Sequence, residues 1–438
     1  MQEELRYRIM RLAMFKIGRD TPMKKPAWQP ALVSSTLIFL AACNLTSVIA
    51  PAPPINTALP DTAVPAPSAN PDPGEYVVIA QLNFWYYGPG PNGGFEAGDG
   101  SGDRTTPFWP ELGYTYMASD PQVIEKQIDW AADYGVDAFS IEWTTPRGVG
   151  CCGSMEDTLD DRFLRAPNID RVRWVIFYDL VLRLMQTPGL QVDFSRGMNF
   201  DDPDVYQTFV DDFVRFANKY FDEPHYLKID DRPAIYVWGT WNAVGNFAGA
   251  FQEARQKVAD VGYDVFIVGD ILRSDAFDKK LASSYDANTN FTFLIPGVGP
   301  LKDAGQAAVA QGKVFEKWQS WIQDLKVTDR QENVVLQPGW APQYDDRMFK
   351  AWQHQEPIYV PATSRDQVVA MAEVSRQYAQ PAGSQGWKLI WINTWNNWAE
   401  STTIEPTGDH GPKYPAGNYQ FDFLEIVRDV FGAETFGN

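Results

Sequence analysis

The chain reads as an α/β protein, a (β/α)8 TIM barrel. Eight short apolar runs of strand length alternate with amphipathic helical stretches. Nearly every run ends, on its carboxyl side, in an aromatic residue or a carboxylate. No Gly-rich phosphate loop follows the first run, which argues against the other parallel-sheet solution, a doubly wound open sheet.

The eight strand candidates are 77–82, 138–143, 174–179, 234–238, 265–270, 285–288, 334–337 and 389–393. Between the first two, Asp120 caps a helix that has Pro121 at its first position and Gly135 closing it. A second helix starts at Asp202-Pro203 by the same device, with Phe209, Phe213, Phe216 and Tyr220 on one face. A third opens on the capping box Ser364 to Gln367.

Barrel enzymes place their chemistry at the carboxyl ends of the strands. The residues expected there are Asn83, Trp85 and Tyr86; Glu142 and Trp143; Tyr178 and Asp179; Trp238 to Trp241; Asp270; Asp286, Asn288 and Asn290; Trp340 and then Asp345; and Trp395 to Glu400. The opposite edges, such as Gly135-Val136 and Asp264, are plainer. Indole faces stack on pyranose rings, amides bind hydroxyls and carboxyls move protons, so this asymmetry suits a glycan site.

Composition narrows the partners. The net charge is −19, from 37 basic against 56 acidic residues, which disfavours nucleic acid and anionic membrane surfaces. With three histidines (His225, His354, His410) and three cysteines, there is no Cys/His metal spacing, so neither metal nor cofactor is expected. Asp99 to Asp103 is a polar Gly-rich loop without EF-hand spacing.

The first 42 residues read as an extension plus a secretory signal. Lys24 and Lys25 precede an apolar run that ends Leu40-Ala41-Ala42-Cys43, a match to a bacterial lipobox. Cleavage before Cys43 and lipid attachment there are expected, with export to the cell surface or beyond and membrane contact only through that anchor. Met23 starts this pattern, so residues 1–22 read as the product of a misplaced start codon. Residues 43–74 form a Pro/Ala-rich tether, and 75–438 the barrel. Cys151 and Cys152 are adjacent and form either a vicinal disulfide or two free thiols.

The most informative stretch is Trp395-Asn396-Asn397-Trp398-Ala399-Glu400-Ser401-Thr402 through Glu405-Pro406. It resembles the N-E-W-x-E-G-T motif on the last barrel strand of glycoside hydrolase family 99 and the family 99-like, WbsX-type proteins. Tyr134 to Phe139, the pair His225-to-Lys228 and Arg232-to-Tyr236, and Pro338-Gly339-Trp340 with Asp345-Asp346-Arg347 are similar to further segments of that family, in order. Two positions depart: the first Glu is Asn397 and the Gly is Ser401. The resemblance implies Glu400 as general acid/base. It also implies that position 397 should help a substrate hydroxyl attack, which an amide cannot do as a base.

Glycoside hydrolysis ordinarily uses two carboxyls. Glu142 is the first choice for the second, with Asp179, Asp270 and Asp345 behind it, or Asn397 orients a water or hydroxyl while Glu400 works alone. Strands two and eight are not neighbours in a barrel, so a Glu142/Glu400 pair would have the wide spacing of inverting enzymes, roughly 6.5–9.5 Å. Trp85, Tyr86, Trp143, Trp241 and Trp340 are candidate sugar platforms, Asn396 a hydroxyl ligand, and Trp398 and Trp340 the expected flanks of Glu400. The expectation is an endo-acting hydrolase of an α-linked mannan or glucan. The alternatives are a non-catalytic glycan-binding lipoprotein and a protein that makes or trims the cell's own polysaccharide. Export would separate the barrel from cytoplasmic sugar-nucleotide donors.

Overall fold

The structure, a computed structural model, describes residues 74–86, 106–113, 116–147, 155–194, 196–272, 277–290, 301–328, 330–348, 358–409 and 418–432. In chain order the barrel elements are β1 (Tyr76–Leu82), α1 (Pro121–Asp133), β2 (Ala138–Trp143), α2 (Met155–Asp161) and β3 (Arg173–Asp179). They continue with α3 (Leu180–Gln186), α4 (Pro203–Tyr220), β4 (Arg232–Trp238), α5 (Phe247–Asp260), β5 (Phe266–Gly269), α6 (Lys279–Ala282) and β6 (Ala287–Asn288). The last are α7 (Ala304–Ile322), β7 (Val335–Leu336), β8 (Gly339–Trp340), α8 (Arg365–Tyr378), β9 (Trp387–Ile392) and α9 (Asp422–Phe431).

All the barrel strands run parallel, in the order β7-β6-β5-β4-β3-β2-β1-β9-β8. β7 and β8 are two pieces of one barrel strand, separated by Gln337-Pro338, so the ring closes through a single interrupted strand. Pro338 has no N–H to give a ladder, and the pairing partner changes across it. Before it, Gln337 N–H donates to Asn288 O at 3.0 Å; after it, Asn393 N–H donates to Trp340 O at 2.8 Å. Every expected strand is present, the seventh in this broken form.

The helix starts follow local chemistry. Asp120 accepts the Gln122 N–H at 2.9 Å and Asp202 accepts the Asp204 N–H at 2.9 Å, each ahead of a proline. Ser364 Oγ accepts the Gln367 N–H at 3.4 Å, but the Gln367 side chain bonds the Thr363 hydroxyl rather than returning to Ser364. Phe209, Phe213, Phe216 and Tyr220 are buried on one face of α4. Phe216 meets Trp143 edge-on at 4.8 Å, and Phe209 meets Phe251 of α5 at 4.9 Å.

The barrel interior is filled by side chains. Trp391 lies 5.4 Å from Phe177 and 5.6 Å from Tyr236, and its indole N–H donates to Ser140 Oγ at 3.2 Å. Gln337 Nε2 reaches the Tyr236 hydroxyl at 2.6 Å. This plug closes the barrel below its carboxyl-terminal mouth. Among the described residues no helix is long and apolar enough to cross a membrane.

Candidate active site

Strand side chains alternate, so the residue two past an interior plug residue also faces inward, one step nearer the mouth. Ser140, Phe177, Tyr236 and Trp391 form the plug. Glu142, Asp179, Trp238 and Asn393 follow them, all buried. Asp270 comes directly after β5. The same alternation turns Trp143 outward, against α4 and the Arg183 guanidinium.

Glu142 sits among Asp179, Trp85 and Gln81. Burial pushes its carboxyl well above the usual range, and the Asp179 charge pushes it further. Its Oε2 is buried without a hydrogen-bond partner among the described residues. Asp179 is pushed up to about 7 by burial, against the pull of the Leu182 and Val181 amides at the start of α3. The Leu182 N–H donates to Asp179 Oδ1 at 2.8 Å. Asp270 is also pushed up to about 7 by burial. It accepts the Gly239 N–H at 3.3 Å, the Thr240 N–H at 3.2 Å and the Thr240 hydroxyl at 3.0 Å, so it pins the turn after β4.

The segment after β9 builds the other wall. Asn396 clamps the end of β1: its Oδ1 accepts the Asn83 N–H at 2.9 Å and its Nδ2 donates to Asn83 O at 2.9 Å. The Tyr86 hydroxyl donates to Asn396 O at 2.7 Å and accepts the Trp398 N–H at 3.0 Å. Thr394 Oγ1 takes the Asn397 N–H at 2.7 Å. Asn397 Nδ2 then donates to Glu400 Oε2 at 2.8 Å. The Tyr344 hydroxyl also bonds Glu400, and burial followed by the Glu400 and Asp346 charges pushes its pKa far up, so it stays a donor.

Ser401, where the family has Gly, takes a left-handed φ of 55°. That conformation suits glycine, and here the serine hydroxyl offsets the strain by donating to Asp345 O at 2.8 Å. Asp345 itself pairs with Arg347 at 2.8 Å, and Arg347 lies over the Tyr359 ring at 3.5 Å.

Glu405, Tyr116 and Gln127 are not among the site residues expected from the sequence. Glu405 is fully enclosed and accepts from Gln127 Nε2 at 2.7 Å, the Tyr116 hydroxyl at 2.8 Å and Trp398 Nε1 at 2.9 Å. Burial pushes it up to about 7. The available signal was a carboxylate enclosed by Ile404 and Pro406 inside the motif segment.

The structure therefore brings Glu142, Asp179, Asp270, Asn397 and Glu400 to the barrel mouth. Tyr86 lies between the two walls: burial raises its hydroxyl most, and the charges of Glu405, Glu400 and Glu142 all add to that. Trp85 and Trp241 are partly exposed there. Trp143, Trp340 and Trp398 are fully buried. Trp340 packs against Phe431 of α9, and the Trp398 indole N–H turns to Glu405, so these rings serve packing. Asn396 and Tyr86 are buried with their polar atoms in use. Cys43, Cys151, Cys152 and the Asp99–Asp103 loop lie outside the described residues. Among the described residues no group of three His, Cys, Asp or Glu could hold a metal ion.

Comparison with known proteins agrees with the resemblance read from the motifs. Residues 204–416, which contain the Trp395–Thr402 segment, match the family described as "Glycosyltransferase WbsX". The "Uncharacterized protein WxcX" of Xanthomonas campestris pv. campestris is 22% identical over 214 residues, 44% of this chain and 27% of that one. The chain thus spans about a quarter of the length of that relative. A solved "Glycoside hydrolase-like protein" superposes with a TM-score of 0.60 at 18% identity, covering 85% of this chain and 98% of the other. The GH99 endo-alpha-mannosidase from Bacteroides thetaiotaomicron gives 0.53 at 16% identity, covering 80% and 95%. At these identities the likeness establishes the shared barrel fold.

Proposed function

We propose that this chain, a WbsX-type barrel of the family 99 architecture, is a glycoside hydrolase that cleaves within an α-linked polysaccharide, a mannan or a glucan. The observation that supports the reading is that Glu142, at the end of β2, and Glu400, after β9, are both buried at the carboxyl ends of barrel strands and both bear on the buried Tyr86 hydroxyl. Glu400 is the acid/base position implied by the motif, and Glu142 is the second carboxyl in place of the one absent at Asn397. The partly exposed Trp85 and Trp241 supply ring-stacking surface for a sugar chain. The family description names a transferase. A sugar-nucleotide transferase needs a cytoplasmic donor, whereas we propose that this barrel is exported and tethered through Cys43.

A second reading rests on Asn397 itself. An amide in place of the family carboxylate fits a glycan-binding protein that has lost catalysis. The test is release of reducing ends from a panel of α-mannans, α-glucans and arabinans by the wild-type chain and by Glu400→Gln. Cleavage of one polymer, reduced about 10²–10⁴-fold in the variant, supports the hydrolase. Binding without cleavage supports the second reading.

A further inference from the structure

Glu142 and Asp179 occupy neighbouring strand ends, β2 and β3: Glu142 is in register with Phe177, and Asp179 is the next inward residue of β3 toward the mouth. We propose that they form one functional unit: the two carboxyls share a single proton, Asp179 is the positioning residue, and Glu142 is thereby the proton donor to the leaving sugar oxygen. This rests on the hydrolase reading and divides the acid and base roles that the motif leaves with Glu400.

Three structural observations carry it. Asp179 already has defined donors, the amides that open α3, with Leu182 N–H at 2.8 Å. It is therefore the member of the pair arranged to carry the negative charge. Glu142 is 2% exposed and its Oε2 has no partner among the described residues. A buried oxygen of that kind is expected to be protonated or to face a ligand. Trp85 and Gln81 also hydrogen-bond Glu142 and favour its charged form, but burial and the Asp179 charge outweigh them. Glu400 receives the Asn397 amide at 2.8 Å and the Tyr344 hydroxyl. Both neighbours donate, which suits an oxygen that accepts.

Among the described residues, none of the groups that bear most on Glu142 and Asp179 is a cation. Glu142 faces Gln81 and Trp85 from β1 and the loop after it, Tyr86 beyond them, and Asp179 from β3. Asp179 faces Glu142, the α3 amides and, from the end of β5, Asp270. Two buried carboxyls that bear on each other do not both ionise easily.

The C1–O bond breaks with its electron pair on the leaving oxygen, which takes the proton of Glu142. A water adds to C1 from the opposite face and its proton passes to Glu400. Glu142 ends as carboxylate and Glu400 as acid, and exchange with solvent restores both. The product has inverted configuration.

Infrared difference spectroscopy of the full chain tests the shared proton without any substrate. At neutral pH the wild type minus Glu142→Gln difference should show the C=O stretch of a protonated carboxyl. In Asp179→Asn that band should titrate at lower pH, by about one unit or more. Asn is itself a good helix cap, so α3 is expected to survive the change. No protonated band, or one that Asp179→Asn leaves unmoved, overturns the proposal. With the polymer that the wild type cleaves, Asp179→Asn should move the alkaline limb of the pH–rate profile the same way. A lower rate with an unmoved limb would make Asp179 merely structural and also overturn it. If the wild type cleaves nothing, the hydrolase reading fails, and the infrared result still decides whether the pair shares a proton.

Discussion

Asn397 and Glu400 hold each other. The Asn397 amide donates to Glu400 Oε2 at 2.8 Å, and Asn397 Oδ1 accepts the Glu400 backbone N–H at 3.2 Å. Where the family has a second carboxylate beside the acid/base, this chain has a neutral donor that fixes its partner's rotamer. Asn397→Ala removes both bonds. A hydrogen bond to a charged group contributes about 1.5–3 kcal/mol, so kcat/KM should fall by about one to two powers of ten. Steady-state kinetics on the cleaved polymer would show it, and unchanged turnover would mean that Asn397 does not position Glu400.

The Asn83–Asn396 clamp joins the first and last barrel strands. Asn396→Leu keeps the volume but leaves the buried Asn83 N–H and C=O without their side-chain partners. The cost should be about 2–4 kcal/mol. Thermal and denaturant unfolding measure it directly. A loss below about 0.5 kcal/mol would show that the clamp contributes little to barrel closure.

Several buried carboxyls give stability an unusual pH dependence. Glu405, Asp179 and Asp270 are each pushed up to about 7, and Asp137 to about 6, by burial. In the unfolded chain such groups ionise near pH 4, so between about pH 4 and 7 the native state holds more protons than the unfolded one. Stability from these groups is therefore complete below pH 4 and is lost as pH rises toward 7. Glu156 works oppositely. Its folded value of about 2, set by Arg215 and Lys219 against burial, makes its contribution vanish only in stronger acid. From these groups the denaturation midpoint should peak near pH 4 and decline by pH 8. Glu405→Gln should flatten that decline; an equally steep one would remove Glu405 from the account.

Gly239 turns the chain at φ 88°, and a Cβ there would lie 2.5 Å from Val181 Cγ2. The turn delivers the Gly239 and Thr240 amides to Asp270. Gly239→Ala should cost about 1–3 kcal/mol from overpacking and the left-handed backbone. Val181→Ala in the same chain should recover part of that loss. No recovery would assign the whole effect to the backbone.

The proposed lipid attachment at Cys43 has its own test. Cys43→Ala should move the protein from the membrane fraction to the soluble fraction of the cells that make it. Unchanged membrane retention would remove lipidation at this position.

Much of the barrel was legible because its causes are local. The apolar runs, the Asp-Pro helix starts and the Phe stripe of α4 each follow from a few adjacent residues. Strand alternation alone sends Glu142 inward and Trp143 outward, and the same rule applies to Asp179. The aromatics were harder. Trp85, Trp241, Trp340 and Trp398 carry similar sequence signals, yet two are partly exposed and two are sealed. What seals a ring comes from far along the chain. Glu405 binds Trp398 only together with Tyr116 and Gln127, 289 and 278 residues away from it. Closure through a strand broken at Pro338 likewise depends on two different neighbours. The sequence by itself determined which residues form strands and which way their side chains point, because those are properties of backbone period. The tertiary structure decided which polar and aromatic groups are left for a ligand, because that depends on which distant segments meet them first.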